Sequence, residues 1–139
     1  MKNFLFLLSV LIVTVSFGQT AEEYYNRGVL KGDLKEYTGA IADYTKAIQL
    51  NPAFVEAYNN RGSAKNKSQD YKGAIADLNK AIELNPSYAN AYLNRAISKG
   101  GLSDFDGACL DLSKAGELGN TDAYVFLKSY VIKWFLIPP

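Results

Sequence analysis

Three short segments carry side chains that could bind or react, and they recur at a fixed pitch. Tyr24-Tyr25-Asn26-Arg27-Gly28, Tyr58-Asn59-Asn60-Arg61-Gly62 and Tyr92-Leu93-Asn94-Arg95-Ala96 follow one another at intervals of 34 residues. Each offers a phenol, an amide and a guanidinium. The arginines Arg27, Arg61 and Arg95 keep pace with Asp43, Asp77 and Asp111. A guanidinium grips a carboxylate through two parallel bonds, so a fixed ion pair between helices is expected here in preference to a ligand-binding row. The amides Asn26, Asn60 and Asn94 are different, because each can both donate and accept.

Other routes to chemistry are closed. The chain has no histidine and one cysteine, which removes Ser-His and Cys-His nucleophile pairs and the histidine or thiolate zinc sites. Asp104-Phe105-Asp106 lacks the further oxygen ligands of a calcium loop and reads as a helix cap. Lys99-Gly100-Gly101 lacks the glycine-lysine-serine/threonine ending of a phosphate loop and reads as a turn between helices. Cys109 occupies the column of Ile41 and Ile75 and is expected to be a buried small hydrophobe. No enzyme, cofactor or metal site is expected.

The elements that must position these residues are helices. Gly39-Ala40-Ile41-Ala42-Asp43 returns as Gly73-Ala74-Ile75-Ala76-Asp77 and, altered, as Gly107-Ala108-Cys109-Leu110-Asp111. Leu50-Asn51-Pro52 returns as Leu84-Asn85-Pro86. A period of this kind signals a solenoid. Ala40, Tyr44 and Ala47 lie at i, i+4 and i+7, the stripe of a helix burying one face. Asn51-Pro52 stops that helix, since proline restricts the residue before it and clashes with the preceding turn. Tyr24 and Gly28 share a face of the partner helix, where a ring can lie over the gap that glycine leaves. Glu36, Asp70 and Asp104 stand where an acidic side chain can cap free amides. The expected fold class is all-α, a superhelix of antiparallel helix pairs.

These residues resemble the tetratricopeptide repeat (TPR) family. Tyr24, Gly28, Ala40, Tyr44, Ala47 and Pro52 match its pattern in a first repeat, and Tyr58, Gly62, Ala74, Leu78, Ala81 and Pro86 in a second. Tyr92, Ala96, Ala108, Leu112 and Ala115 match in a third, with Asn120 where proline is expected. Lys31, Lys65 and Lys99 replace the large ring usual at their column, and their stems can cover apolar surface while the ammonium stays wet. The repeats are set at 21–54, 55–88 and 89–122, followed by a capping helix over about 122–135. Such a helix covers the open end of a solenoid.

The resemblance implies a protein-interaction module with a concave face built from the first helix of each repeat. Asn26 lies about 200° round the helix from Tyr24, pointing toward that face. Asn26, Asn60 and Asn94 can therefore form a ladder to the backbone of an extended peptide, or else bond only to neighbouring helices and water. Tyr25, Val29, Asn59, Ser63, Leu93 and Ile97 would flank the ladder, a mixture suited to a ligand of low charge. A carboxylate clamp for acidic chaperone tails would need lysines, an arginine and asparagines on this face, where Tyr25, Val29, Asn60, Asn90 and Asn94 stand, and only Asn60 fits. The last helix is unusually apolar, so Tyr124, Tyr130, Trp134 and Phe135 offer a second docking surface, on a larger complex or on a second copy of the chain.

Charge and targeting complete the expectation. Lys2, the apolar run Phe4 to Phe17 and the small residues Ser16 and Gly18 have the layout of a signal peptide over 1–18, with cleavage expected after Gly18. Export to the periplasm or beyond the cell follows. Without Lys2 the chain holds 14 basic and 14 acidic residues, a balance that gives no pull toward nucleic acid. The expected partner is a protein or peptide and not a small-molecule substrate.

Overall fold

In a computed structural model, the chain is described over residues 19–136, with side chains as far as Tyr130. Residues 1–18, where a signal peptide is expected, and the side chains of Trp134 and Phe135 lie outside the described residues. Seven helices follow one another: α1 (Ala21–Asp33), α2 (Tyr37–Leu50), α3 (Val55–Lys67), α4 (Tyr71–Leu84), α5 (Ala89–Gly101), α6 (Phe105–Glu117) and α7 (Thr121–Leu136). There is no strand among the described residues, and none of their helices is long and apolar enough to cross a membrane.

Local chemistry explains where the helices begin and end. Thr20 opens α1 with a reciprocal capping box, its hydroxyl accepting from the Glu23 amide while the Glu23 carboxylate accepts from the Thr20 amide. Asp70 and Asp104 cap α4 and α6, each accepting from the amide three residues on at 3.0 Å. Glu36 holds the same place before α2 but makes no such bond; its extra methylene leaves the carboxylate badly placed for the turn. Asn51 and Asn85 end α2 and α4 in extended backbone, and each side chain accepts from the amide two residues later. After α6 the terminator changes: Gly119, at φ 92°, turns the chain, and Asn120 then caps α7 through the Ala123 amide.

Three antiparallel pairs, α1–α2, α3–α4 and α5–α6, stack in order, and α7 covers α6. Small residues set the spacing. Ala40, Ala74 and Ala108 are fully buried, as are Ala47, Ala81 and Ala115. Within each pair one large side chain fills the gap left by a small one: the Tyr44 ring at Gly28, Leu78 at Gly62, and Leu112 within the cluster that holds Ala96. The ring expected over glycine is thus present in the first repeat and replaced by an aliphatic side chain in the second. Gly100 and Gly101, expected in a turn, form the last turn of α5, where the Tyr130 hydroxyl and the Tyr71 ring close onto them. A side chain there would displace a ring. Cys109 is half-buried and not enclosed.

Curvature follows from the packing. The first helices of neighbouring pairs meet, α1 with α3 and α3 with α5, whereas the second helices have no comparable contact with one another. An array drawn together on one side and splayed on the other is concave toward α1, α3 and α5.

Candidate functional site

The inner face is held in shape by charge clusters that repeat with the pairs. Asp43 accepts from Arg27 Nε at 2.9 Å and Nη2 at 2.5 Å, and from Lys31 Nζ at 2.8 Å. Asp77 is held the same way by Arg61 and Lys65, and Asp111 by Arg95 and Lys99. The three aspartates are only 4–5% exposed. The hydrogen bonds from Arg27, and then those from Lys31, hold the Asp43 carboxyl below its ordinary range against the opposing effect of burial. Arginine thus pairs between helices, as expected, but the lysine ammonium groups are not simply solvated: they complete each cluster.

Each arginine does more. Its guanidinium sits over the tyrosine three residues earlier, at 4.8 Å for Arg27 on Tyr24 and 5.7 and 5.5 Å for the next two pairs. Nη1 of Arg61 also donates to Thr45 at 3.0 Å, and Nη1 of Arg95 to Asn79 at 2.7 Å, both in the preceding pair. In the first pair Gln19 takes that role for Arg27. The Tyr-x-x-Arg part of the motif is therefore a structural joint between successive repeats.

The amide column divides. Asn26 is exposed and makes no side-chain hydrogen bond among the described residues. Asn60 donates to the Tyr25 hydroxyl at 3.0 Å and accepts from Asn59, and Asn94 donates to Asn59 at 2.9 Å. A chain of bonds Asn94–Asn59–Asn60–Tyr25 thus crosses α5, α3 and α1. Asn59, expected as an open flank, is 5% exposed and is the middle of this chain. Beneath it Asn66 donates to the Asn94 carbonyl and accepts from Ser98, a pair of buried polar residues with no precedent in the motif. Asn60 and Asn94 each retain a second side-chain N–H, and Asn94, whose backbone carbonyl takes the Asn66 bond, also its side-chain carbonyl oxygen.

Of the remaining flanking residues, Tyr25 is half-buried, its ring 4.8 Å from that of Phe54 and 5.8 Å from that of Tyr44. Burial first, then the Glu56 carboxylate, push its phenol up. Val29 and Ser63 line an open cavity of about 240 Å³ between α1 and α3, together with Asn60. Leu93 packs against the third-repeat core, and Ile97 is half-buried. A residue that the spacing did not single out for the site, Tyr44, also lines the cavity. Its ring belongs to the core, but its hydroxyl reaches the groove beside Gly32.

On α7, Tyr124 is 61% exposed and Val125 70%. Tyr130 differs from Tyr124: it is half-buried, packs onto the Ala96–Ala123 cluster, and its ring lies 6.1 Å from that of Phe105. It is a packing residue more than a docking one.

Known proteins resemble this arrangement. Residues 31–69 match a family model described as TPR repeat, and residues 55–88 one described as tetratricopeptide repeat. The first TPR of Spaghetti (RPAP3) bound to the HSP90 peptide SRMEEVD is 29% identical, with a TM-score of 0.77 over 81% of this chain and 91% of that one. The second TPR domain of human RPAP3 in complex with the HSP70 peptide SGPTIEEVD is also 29% identical, with a TM-score of 0.75 over 79% and 93%. The Sgt2 TPR domain from Aspergillus fumigatus is 26% identical, with a TM-score of 0.79 over 86% and 85%. No curated relative matches the chain by sequence.

Proposed function

We propose that this chain of tetratricopeptide repeats is a non-enzymatic interaction module whose concave groove holds an extended peptide or a partner segment. The observation that carries the reading is the row of neutral groups on α1, α3 and α5, with uncommitted amide N–H groups on Asn60 and Asn94 beside an open cavity. Backbone carbonyls of an extended chain are the natural acceptors for such donors. Two similar domains hold short peptides, which supports the module. Those peptides are acidic, whereas Tyr25, Val29, Asn60, Asn90 and Asn94 on the inner helices here are uncharged, so the ligand of this groove is of low charge. The layout of residues 1–18 makes it an exported adaptor, working in the periplasm or outside the cell.

Panning a phage-displayed library of random short peptides against the chain from Gln19 onward tests the groove. Enriched peptides should lose binding to Ser63→Arg, which places a bulky cation in the groove, while helical circular dichroism is retained. Absence of any enriched peptide, or binding indifferent to Ser63→Arg, would overturn the reading. Intact mass of the protein recovered outside the cytoplasm tests export, with Gln19 expected as the first residue.

A second reading rests on the exposure of Tyr124 and Val125: a structural subunit that docks through α7, onto a larger envelope assembly or a second copy.

A further inference from the structure

Tyr44 stands in the column that Leu78 and Leu112 occupy in the other repeats, and the difference is one hydroxyl and its reach. Its ring does the same work as the leucines, filling the gap at Gly28, and the residue is 4% exposed. The ring is long enough to carry its hydroxyl through to the inner face. There a Cβ built on Gly32 would stand 3.6 Å from the oxygen, in ordinary contact, so the glycine leaves the pocket wider by about a methyl group beside the hydroxyl. Leucine at this column could fill the core but could not present a polar atom to the groove.

That hydroxyl is unspent. The neighbouring Asn60 amide gives its hydrogen bond to Tyr25 at 3.0 Å and touches Tyr44 Oη only weakly, which leaves the phenol proton free to donate. The oxygen is not sealed in the core, since no buried side-chain polar atom among the described residues lacks a partner, so a peptide group can reach it and pair with it. The cavity above it, about 240 Å³, is lined by Asn60 and Ser63 as well, and by Asp33 and Lys67. Those two charges are of opposite sign, so the cavity offers no net field to an ion. It is large enough for one side chain and too small for a folded element.

Resting on the reading of the groove as a peptide site, we propose that this cavity is a specificity pocket for one uncharged side chain ending in a hydrogen-bonding group, such as glutamine, asparagine, serine, threonine or tyrosine, which pairs with the Tyr44 hydroxyl. The backbone ladder is tolerant of sequence; the pocket supplies the selection. Placed between the first two repeats, it also sets the register in which a peptide lies along the groove.

The test uses phage-displayed random short peptides panned in parallel against the wild-type chain, Tyr44→Phe and Gly32→Ala. Tyr44→Phe removes one oxygen and keeps the ring in the core, and Gly32→Ala narrows the pocket with a methyl group at ordinary contact distance, so both variants should fold. Peptides selected on the wild type should share a hydrogen-bonding uncharged residue at one position. Tyr44→Phe should bind them about threefold to tenfold more weakly and should itself select apolar residues at that position only. Peptides with alanine at that position should bind the wild type and Tyr44→Phe equally. Gly32→Ala should shift the selection toward the smaller members of the set. Enriched peptides with no position that responds to Tyr44→Phe would overturn the pocket and leave the groove standing. No enriched peptide on any of the three proteins would overturn both.

Discussion

At the scale of single residues, the repeated tyrosine, asparagine and arginine serve different ends. Arginine and its tyrosine lock neighbouring helices, and each aspartate is the centre of a cluster with two cations. Asp77, 5% exposed, sits between Arg61 and Lys65, whose side chains are 15% and 20% exposed. Asp77→Asn leaves those cations facing each other with little water, and should cost about 3 kcal/mol, read as a lower urea midpoint. Retained stability would mean that the cluster is solvated. Tyr44 supplies a pH-dependent counterpart. Burial, with smaller contributions from Tyr25 and Asp33 and a small opposing one from the Asn60 amide, pushes its phenol up to about 12. The folded state therefore favours the neutral phenol, a contribution complete below the ordinary pKa of about 10 and lost as pH rises through about 12. In an alkaline titration followed by phenolate absorbance, Tyr44→Phe should remove the latest-titrating group and raise the pH at which the chain unfolds.

At the scale of helices and turns, glycine has two distinct uses in the repeats. Within the helices it admits a neighbour: a Cβ on Gly62 would meet Leu78 Cγ at 2.8 Å and the Ala74 carbonyl oxygen at 3.3 Å. Gly62→Leu should destabilise by about 1–3 kcal/mol through overpacking, seen as a fall in melting temperature. In the turn after α6 Gly119 takes a left-handed φ, but in the turns inside each helix pair, where glycine would be equally welcome, it is missing. Lys35, Gln69 and Ser103, at the same place in successive repeats, hold φ of 61°, 63° and 64°, a left-handed conformation that costs side chains energy. Gln69→Gly should relieve that strain and, after the entropy glycine adds to the unfolded chain, raise stability by about 0.5–1 kcal/mol. An unchanged melting temperature would show the turn to be unstrained. The period revealed both classes of position, but only the backbone angles separate the strained turn residue from its neighbours.

For the whole molecule, contact among α1, α3 and α5 without matching contact among α2, α4 and α6 bends the array and makes one face a groove. The far end is less fully covered. Ala123 is buried and Tyr130 packs inward, whereas Val125 has 70% of its surface exposed and Tyr124, although its ring edges over Gly116, 61%. Replacing both with serine should leave the melting temperature within about 0.5 kcal/mol-equivalent of wild type and, if α7 is a docking surface, shift the elution of the chain toward a smaller species. An elution volume unchanged from that of a monomeric wild type would remove self-association from the possibilities.

Helix pairs, their order and their small-residue contacts were legible in the residues, because a side chain that recurs every 34 positions must meet the same environment each time. The Arg–Asp pairing was legible for the same reason. Tertiary structure alone decided what broke the repeat. Asn59 has no equivalent amide in the other two copies, yet it joins Asn60 to Asn94 and turns half of a supposed ligand ladder into an inter-helix bond. Tyr44 and Gly32 lie twelve positions apart in sequence on different helices, and only the packing of α1 on α2 brings the Tyr44 hydroxyl to the groove beside that glycine. Periodicity reports what every repeat shares; a site arises where one repeat differs, and the meaning of that difference depends on which side chains the fold sets beside it.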